Sequence, residues 1–224
     1  MSRLTRARQE FYKLQENEEL YQRCVAAVDA RLSGRRLAHV HSVSECAVEL
    51  AELYGVNTFD AKLAGLLHDW DKLLTDDEFP ARMEELGIEP PDQVELMWPV
   101  LHSFTGAKAV QREFPELDAG IISAIWNHTL GAVEMSDLDM VVFVADMIEP
   151  LRDAKRSKGI KKLRKLVGEA SLGELYFAAY GQTMRSLVDR KRCIHPLALD
   201  IWNGLVAKYH PVNKTRQGNA DIVL

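Results

Sequence analysis

The sequence predicts an all-α fold, a helical bundle built as one domain. Apolar residues recur at steps of three and four along most of the chain, which is the period of one helix face. Alternating apolar and polar runs joined by hairpin turns are absent, so nothing reads as an antiparallel sheet. The chain has 224 residues, 47% of them apolar, enough for one ordinary domain with a substantial core and too many for extensive disorder.

Taken in order, the pattern predicts helices over 4–14 and 17–32, then 35–54, which stops where Gly55 can adopt a left-handed conformation. A helix over 59–68 follows. Thr75 and Glu78 form a capping-box pattern that opens 76–86, and Gly87 closes it. Pro90-Pro91 interrupts helix and makes 88–99 a loop over one end of the bundle. Helices at 100–113 and 118–128 come next, and Ser136 can cap a run over 137–148. A helix over 158–168 carries much of the basic run Lys155–Lys165, read as a solvated face. Ser171 with Glu174 opens 172–190, and 196–208 is the last helix. The polar tail after Pro211 is expected to be mobile. These elements divide into an N-terminal helical extension (1–34), a main body (35–210) and the tail (211–224).

Charge and cysteine usage narrow the function. The 33 acidic residues outnumber 28 basic ones, a net charge of −5, which disfavours a general nucleic-acid partner but leaves room for a small phosphorylated ligand. Cys24, Cys46 and Cys193 are far apart and odd in number, so neither a disulfide framework nor a thiolate zinc site is expected, and a reducing cytoplasm fits. The first twenty residues have no apolar core of a signal peptide, and no run of about 18 apolar residues offers a membrane span.

The chemistry lies where polar residues interrupt apolar runs. Asp146 sits inside Met140–Ile148, the most hydrophobic segment, and a buried carboxylate costs several kcal/mol unless it is paired, protonated or bound to a cation. His68-Asp69 closes the run Leu63–Leu67, His128 closes Ile121–Trp126, and His102 follows Val100-Leu101. His39 shares a helix face with Val43, Cys46, Ala47 and Leu50, whereas His41 points the other way, toward solvent. One polar pocket inside the bundle accounts for the set. Imidazole nitrogens with carboxylate oxygens suit iron, manganese, zinc or nickel. His68 and Asp69 diverge by about 100° on a helix, so they can reach one ion only at a helix end or a distortion.

These residues fall into recognisable motifs. Arg36-Leu-Ala-His39-Val-His-Ser-Val43 resembles the opening of HD-domain proteins, and His68-Asp69-Trp-Asp-Lys72 resembles their His-Asp dyad followed by lysine. More closely, the chain resembles the YqeK family of symmetrical diadenosine-tetraphosphate hydrolases. The matches are Leu101-His102-Ser-Phe-Thr-Gly106-Ala107, Ala124-Ile-Trp-Asn-His128-Thr129-Leu-Gly131, Ala145-Asp146-Met-Ile-Glu149-Pro150-Leu-Arg152, and Ile194-His195-Pro196 with Asn203. The resemblance runs from about residue 20 to 208. Trp70, Asp71 and the extra length at both ends depart from it, and Asp71 would add negative charge beside a phosphate site.

The resemblance implies an HD-domain bundle in which His39, His68, Asp69 and Asp146 hold iron, or manganese or another divalent ion, as one or two ions. His102 and His128 then bind either a second ion or the phosphate chain. Lys72, Arg36, Thr129 and Arg152 would grip phosphate oxygens, and Asp69, Lys72, His102 and His128 are the catalytic candidates. Glu149, one turn from Asp146, would stand behind the ligands. The implied substrate is a dinucleoside polyphosphate, cut symmetrically to two ADP, with no nucleic-acid or membrane partner; a homodimer is compatible. The rivals are an HD nucleotidase or phosphodiesterase on another nucleotide, and a non-catalytic nucleotide sensor.

Overall fold

The computed structural model describes residues 3–152 and 158–210, with side chains from Tyr12 onward. The tail 211–224, and with it the expectation of mobility, lies outside the described residues, as do Lys155 and Arg156 of the basic run. The described residues form ten α-helices and no strand: α1 Arg3–Arg31, α2 Gly34–Tyr54, α3 Thr58–Leu67, α4 Phe79–Leu86, α5 Trp98–Glu113, α6 Ala119–Asn127, α7 Asp137–Ile148, α8 Lys158–Leu166, α9 Leu172–Asp189 and α10 Pro196–Tyr209. A 3₁₀ turn at Val94–Leu96 breaks the loop before α5.

Helix α7 is the axis of the bundle. Its residues from Leu138 to Ala145 are buried on every side, and all but the capping Asp139 are apolar. It packs against α2, α3, α6, α8 and α9. The Ser136 hydroxyl accepts from the Asp139 N–H while Asp139 accepts from the Ser136 N–H, a reciprocal cap that fixes where the helix starts and hence the phase of Asp146. Helices α2 and α3 pack very closely. A Cβ on Gly65 would lie 2.9 Å from the Ser44 Cα, so glycine is what lets the two backbones approach. The Ser44 hydroxyl donates across this contact to the Lys62 carbonyl at 2.8 Å.

Three element boundaries differ from the sequence-based expectation. The first two helices are one, α1, because Gln15, Glu16 and Asn17 contain no glycine or proline to stop it. Its inner face puts Cys24, Val28 and Leu32 in the core, and Arg31 lies 4.1 Å over the Trp70 ring. Helix α4 starts at Phe79: Glu78 does reach back to the Thr75 N–H at 2.8 Å, but it closes a turn before the helix. Helix α5 starts at Trp98, because Pro99 fits a first helical turn where no N–H is required. No described helix is long and apolar enough to cross a membrane.

Candidate metal centre

Five helices deliver the polar residues to one buried point. His39 comes from α2, His102 from α5 and Asp146 from α7. His68 is the C-cap of α3 and His128 the C-cap of α6. Asp69 lies in the turn after α3, so the dyad converges at a helix end, as its 100° divergence demands.

The two C-cap histidines are held by the same device. Each faces, through Nδ1, the carbonyl three residues back: His68 to Gly65 O and His128 to Ile125 O, both at 2.7 Å. A last-turn carbonyl lacks a helical partner, so it accepts the Nδ1–H and leaves the Nε2 lone pair facing inward. His39 is oriented by Glu149, whose Oε1 lies 3.0 Å from its Nδ1. Glu149 is itself fixed at Oε2 by the Ser42 hydroxyl at 2.6 Å and the Leu151 N–H at 2.5 Å. A carboxylate behind a histidine in this way sets its tautomer and raises its basicity as a ligand.

The inward atoms lie at metal-ligand spacing. From His39 Nε2 it is 3.0 Å to Asp146 Oδ1 and 3.8 Å to Asp69 Oδ2; from His68 Nε2 the same oxygens are at 3.7 and 3.6 Å. Two donors each about 2.1 Å from a shared ion stand about 3.0–3.4 Å apart at right or tetrahedral angles. The Nε2 atoms of His39 and His68 are buried without a hydrogen-bond partner, an expensive state for a polar atom unless a cation takes the lone pair. The donor set and the orphaned nitrogens therefore fit a divalent ion. Asp69 presents its other oxygen to a second group: Oδ1 is 3.3 Å from His102 Nε2 and 3.7 Å from His128 Nε2, and those two nitrogens are 3.2 Å apart. His39, His68 and Asp146 form one set able to hold an ion, and His68, Asp69 and His128 another.

Protonation suits ligation at His68, His102 and both aspartates, whereas Asp146 draws His39 toward its protonated form, whose proton a bound cation would have to displace. Burial pushes His68 and His102 down to about 4, against the pull of Asp69, so both imidazoles are neutral at pH 7. Burial works to raise Asp69, but the surrounding His68, His102, His128 and Lys72 hold it well below its ordinary value. Asp146 is likewise lowered, with His39 and Arg152 outweighing burial. At His39 burial is outweighed by Asp146, and its pKa lies above the usual value.

Cations ring the centre. Arg36 Nη1 donates to Asp69 Oδ2 at 2.9 Å, and Arg152 Nη2 to Asp146 Oδ1 at 2.5 Å. Lys72 Nζ is 3.0 Å from His102 Nε2 and 3.9 Å from Asp69 Oδ1, and burial lowers its pKa. Thr129 lines the adjoining cleft, but its hydroxyl is engaged with Ser103 Oγ at 2.9 Å. His41 lies away from the centre, 3.3 Å from Asp29. Asp71 does not face the site: it is buried and held by Arg82, Nε to Oδ2 at 3.0 Å and Nη2 to Oδ1 at 3.2 Å. Trp70 packs into the core against Phe114. The two residues between dyad and lysine are therefore buried away from the site, and the expected negative charge beside the phosphate site is absorbed by Arg82.

Sequence reasoning missed Ser42, although it lies one turn from His39 on the same helix. It also missed Arg164, whose guanidinium donates to the carbonyls of Ile148 at 2.9 Å, Glu149 at 2.6 Å and Arg152 at 3.2 Å. That clamp fixes the end of α7, where Asp146, Glu149 and Arg152 originate. In the sequence Arg164 is one more charge in a basic run, with no mark to separate it from exposed Lys161 and Lys162.

The chain is similar to known proteins. Residues 36–151 match the HD domain family. A Bacillus subtilis protein named symmetrical bis(5'-nucleosyl)-tetraphosphatase is 31% identical over 82% of this chain and 96% of its own length. A Staphylococcus aureus protein of the same name is 29% identical over 77% of this chain and 88% of its own. A crystal structure from Clostridium acetobutylicum, described as a predicted HD superfamily hydrolase involved in NAD metabolism, superposes with a TM-score of 0.76 at 28% identity, covering 84% of this chain and 97% of that one.

Proposed function

The chain belongs to the HD-domain family and, within it, to the symmetrical bis(5'-nucleosyl)-tetraphosphatases, and on that premise we propose that it hydrolyses diadenosine tetraphosphate to two ADP. The observation that carries this reading is the buried convergence of His39, His68, Asp69 and Asp146, with two imidazole nitrogens left unpartnered beside ionised carboxylates.

His39, His68, Asp69 and Asp146 would hold the ion, iron first and manganese or another divalent ion as alternatives. His102 and His128, facing the second oxygen of Asp69, would hold a second ion or the phosphate chain. A bound divalent ion supplies Lewis acidity toward water and toward a phosphoryl oxygen at neutral pH. The chain's own residues do the rest. Asp69 orients the attacking water. Lys72, Arg36 and Arg152 neutralise charge that builds on the phosphoryl oxygens in the transition state. Water attacks one of the two central phosphorus atoms, the bond from that phosphorus to the oxygen bridging it to its neighbour breaks, and both halves leave as ADP, with the two protons of the water passing to solvent as the two new terminal phosphates ionise. Glu149 and Ser42 keep His39 in the tautomer whose Nε2 faces inward. Asp71, committed to Arg82, does not repel the substrate.

The same reading takes 35–210 as the catalytic body and 1–34 as an extension packed on it, working in the cytoplasm. Nucleic acid is not a partner on this view, in keeping with the net charge of −5, and a homodimer is compatible with it. The description of the Clostridium structure favours testing one rival, an HD hydrolase acting on NAD-related nucleotides. A panel of diadenosine tetraphosphate, NAD, ATP and AMP, assayed with metal-loaded and chelator-treated protein, separates them. Turnover of the first substrate far above the others, lost with chelator, is the expected result. Preferred turnover of AMP or NAD would favour the rival, and binding without turnover would favour a sensor.

A further inference from the structure

Two clefts open at the centre and a third lies beside them. One of about 330 Å³ starts at His128 and Asp146 and runs along α9 past Gln182 and Thr183. A second, of about 770 Å³, lies against Arg36 and His39. The third, of about 590 Å³, does not touch the centre but shares Ser186, Leu187 and Arg190 with the first. Arg190 alone lines all three. Its guanidinium has no ion pair or hydrogen bond with another described residue.

We propose that the third cleft seats one nucleoside of the substrate, with Arg190 gripping the phosphate chain where it leaves the metal centre. The inference rests on the hydrolase reading above and adds where the substrate's ends go.

The walls differ in kind. The third cleft is formed by Trp98, Pro99, Val100, Leu130 and Leu187, flat or branched apolar surface of the sort a purine face needs, with Asp76, Glu95, Arg192 and His195 among its polar lining. An aromatic or apolar slot gains affinity by removing both from water, and a few polar groups fix orientation. The second cleft, by contrast, carries Arg35, Arg36, Arg152 and Arg190, four guanidiniums suited to phosphate and poorly suited to a base. A chain held on Arg36 and Arg152 at the ion can pass Arg190 and deliver one base to the apolar slot. The two identical halves of the substrate therefore meet chemically different surroundings.

Cys193 makes this testable in the wild-type protein. It lines the third cleft and is exposed, whereas Cys24 and Cys46 are buried, so a thiol reagent such as 5,5'-dithiobis(2-nitrobenzoate) reads Cys193 first. The experiment follows labelling of metal-loaded protein with ADP or with inorganic pyrophosphate, measuring ADP occupancy in the same samples by equilibrium dialysis. ADP should slow labelling severalfold as it fills the slot, and pyrophosphate should not. In Arg190→Met the ADP needed for half-protection should rise about 10- to 100-fold, the loss of one charge-assisted hydrogen bond. Bound ADP that leaves Cys193 reactive, or equal protection by pyrophosphate, overturns the nucleoside site. Tetraphosphate hydrolysis without protection leaves the activity standing and removes this inference; protection without hydrolysis does the reverse.

Discussion

Replacing Glu149 with glutamine keeps the shape of a buried side chain while changing what its two terminal atoms can do. In the native protein Oε1 faces His39 Nδ1, and Oε2 accepts from both the Ser42 hydroxyl and the Leu151 N–H. All three contacts need an acceptor from Glu149. Glutamine has one oxygen and one NH₂. If the NH₂ turns toward Leu151, a buried backbone N–H loses its partner, at a cost of about 1–3 kcal/mol, although Ser42 can rotate to accept. If it turns toward His39, Nδ1 must become the acceptor and the proton moves to Nε2, the atom that faces Asp146. The first arrangement lowers stability, and the second blocks ligation. Loss of a carboxylate behind a metal-binding histidine weakens the metal by about 10- to 100-fold. The measurement is competition with a chelator of known affinity, alongside thermal melting of the metal-free protein. Weaker metal, lower melting temperature or both is expected. Wild-type values for both would refute the claim that Glu149 sets the His39 tautomer.

Other substitutions probe the separate parts. His68→Ala and Asp146→Ala should lose metal on elemental analysis, and His39→Gln should abolish turnover, while His41→Gln, facing Asp29, should leave both near wild type. Lys72→Met and Arg152→Met should retain metal, since neither protonated side chain can ligate, yet lose about 2–4 kcal/mol of transition-state stabilisation, roughly 30- to 1,000-fold in kcat/KM. Unchanged steady-state kinetics on metal-replete samples would make them bystanders. Gly65→Ala should force α3 away from Ser44, costing about 1–3 kcal/mol in a melt and moving His68 off its partners. An unchanged melting temperature would show that the two helices have slack.

Several parts of this arrangement are legible in the sequence because they obey local rules. Asp146 stands out against the apolar run of α7, the Ser136 cap fixes where that helix begins, and helical phase separates His39 from His41. The divergence of His68 from Asp69 already requires a helix end, and α3 ends there. What escapes the sequence is set by partners distant along the chain. Asp71 reads as a charge beside the phosphate site because Arg82, which takes it, is one arginine among many. Arg164 and Arg190 sit in stretches of like residues, and only the packing of α8 and α9 turns one inward and leaves the other at the meeting of three clefts. The joining of the first two helices has the same origin, since a polar stretch without glycine or proline is compatible with either outcome until α1 is seen lying on α3.

The most direct test of the central claim is the product pattern of metal-loaded wild-type protein given diadenosine tetraphosphate, resolved by ion-exchange chromatography at early times. ADP as the sole nucleotide product is the expected result, because the proposed cleavage joins water to one central phosphorus and releases the other half intact. ATP together with AMP, or no hydrolysis by protein of full metal content, would contradict it.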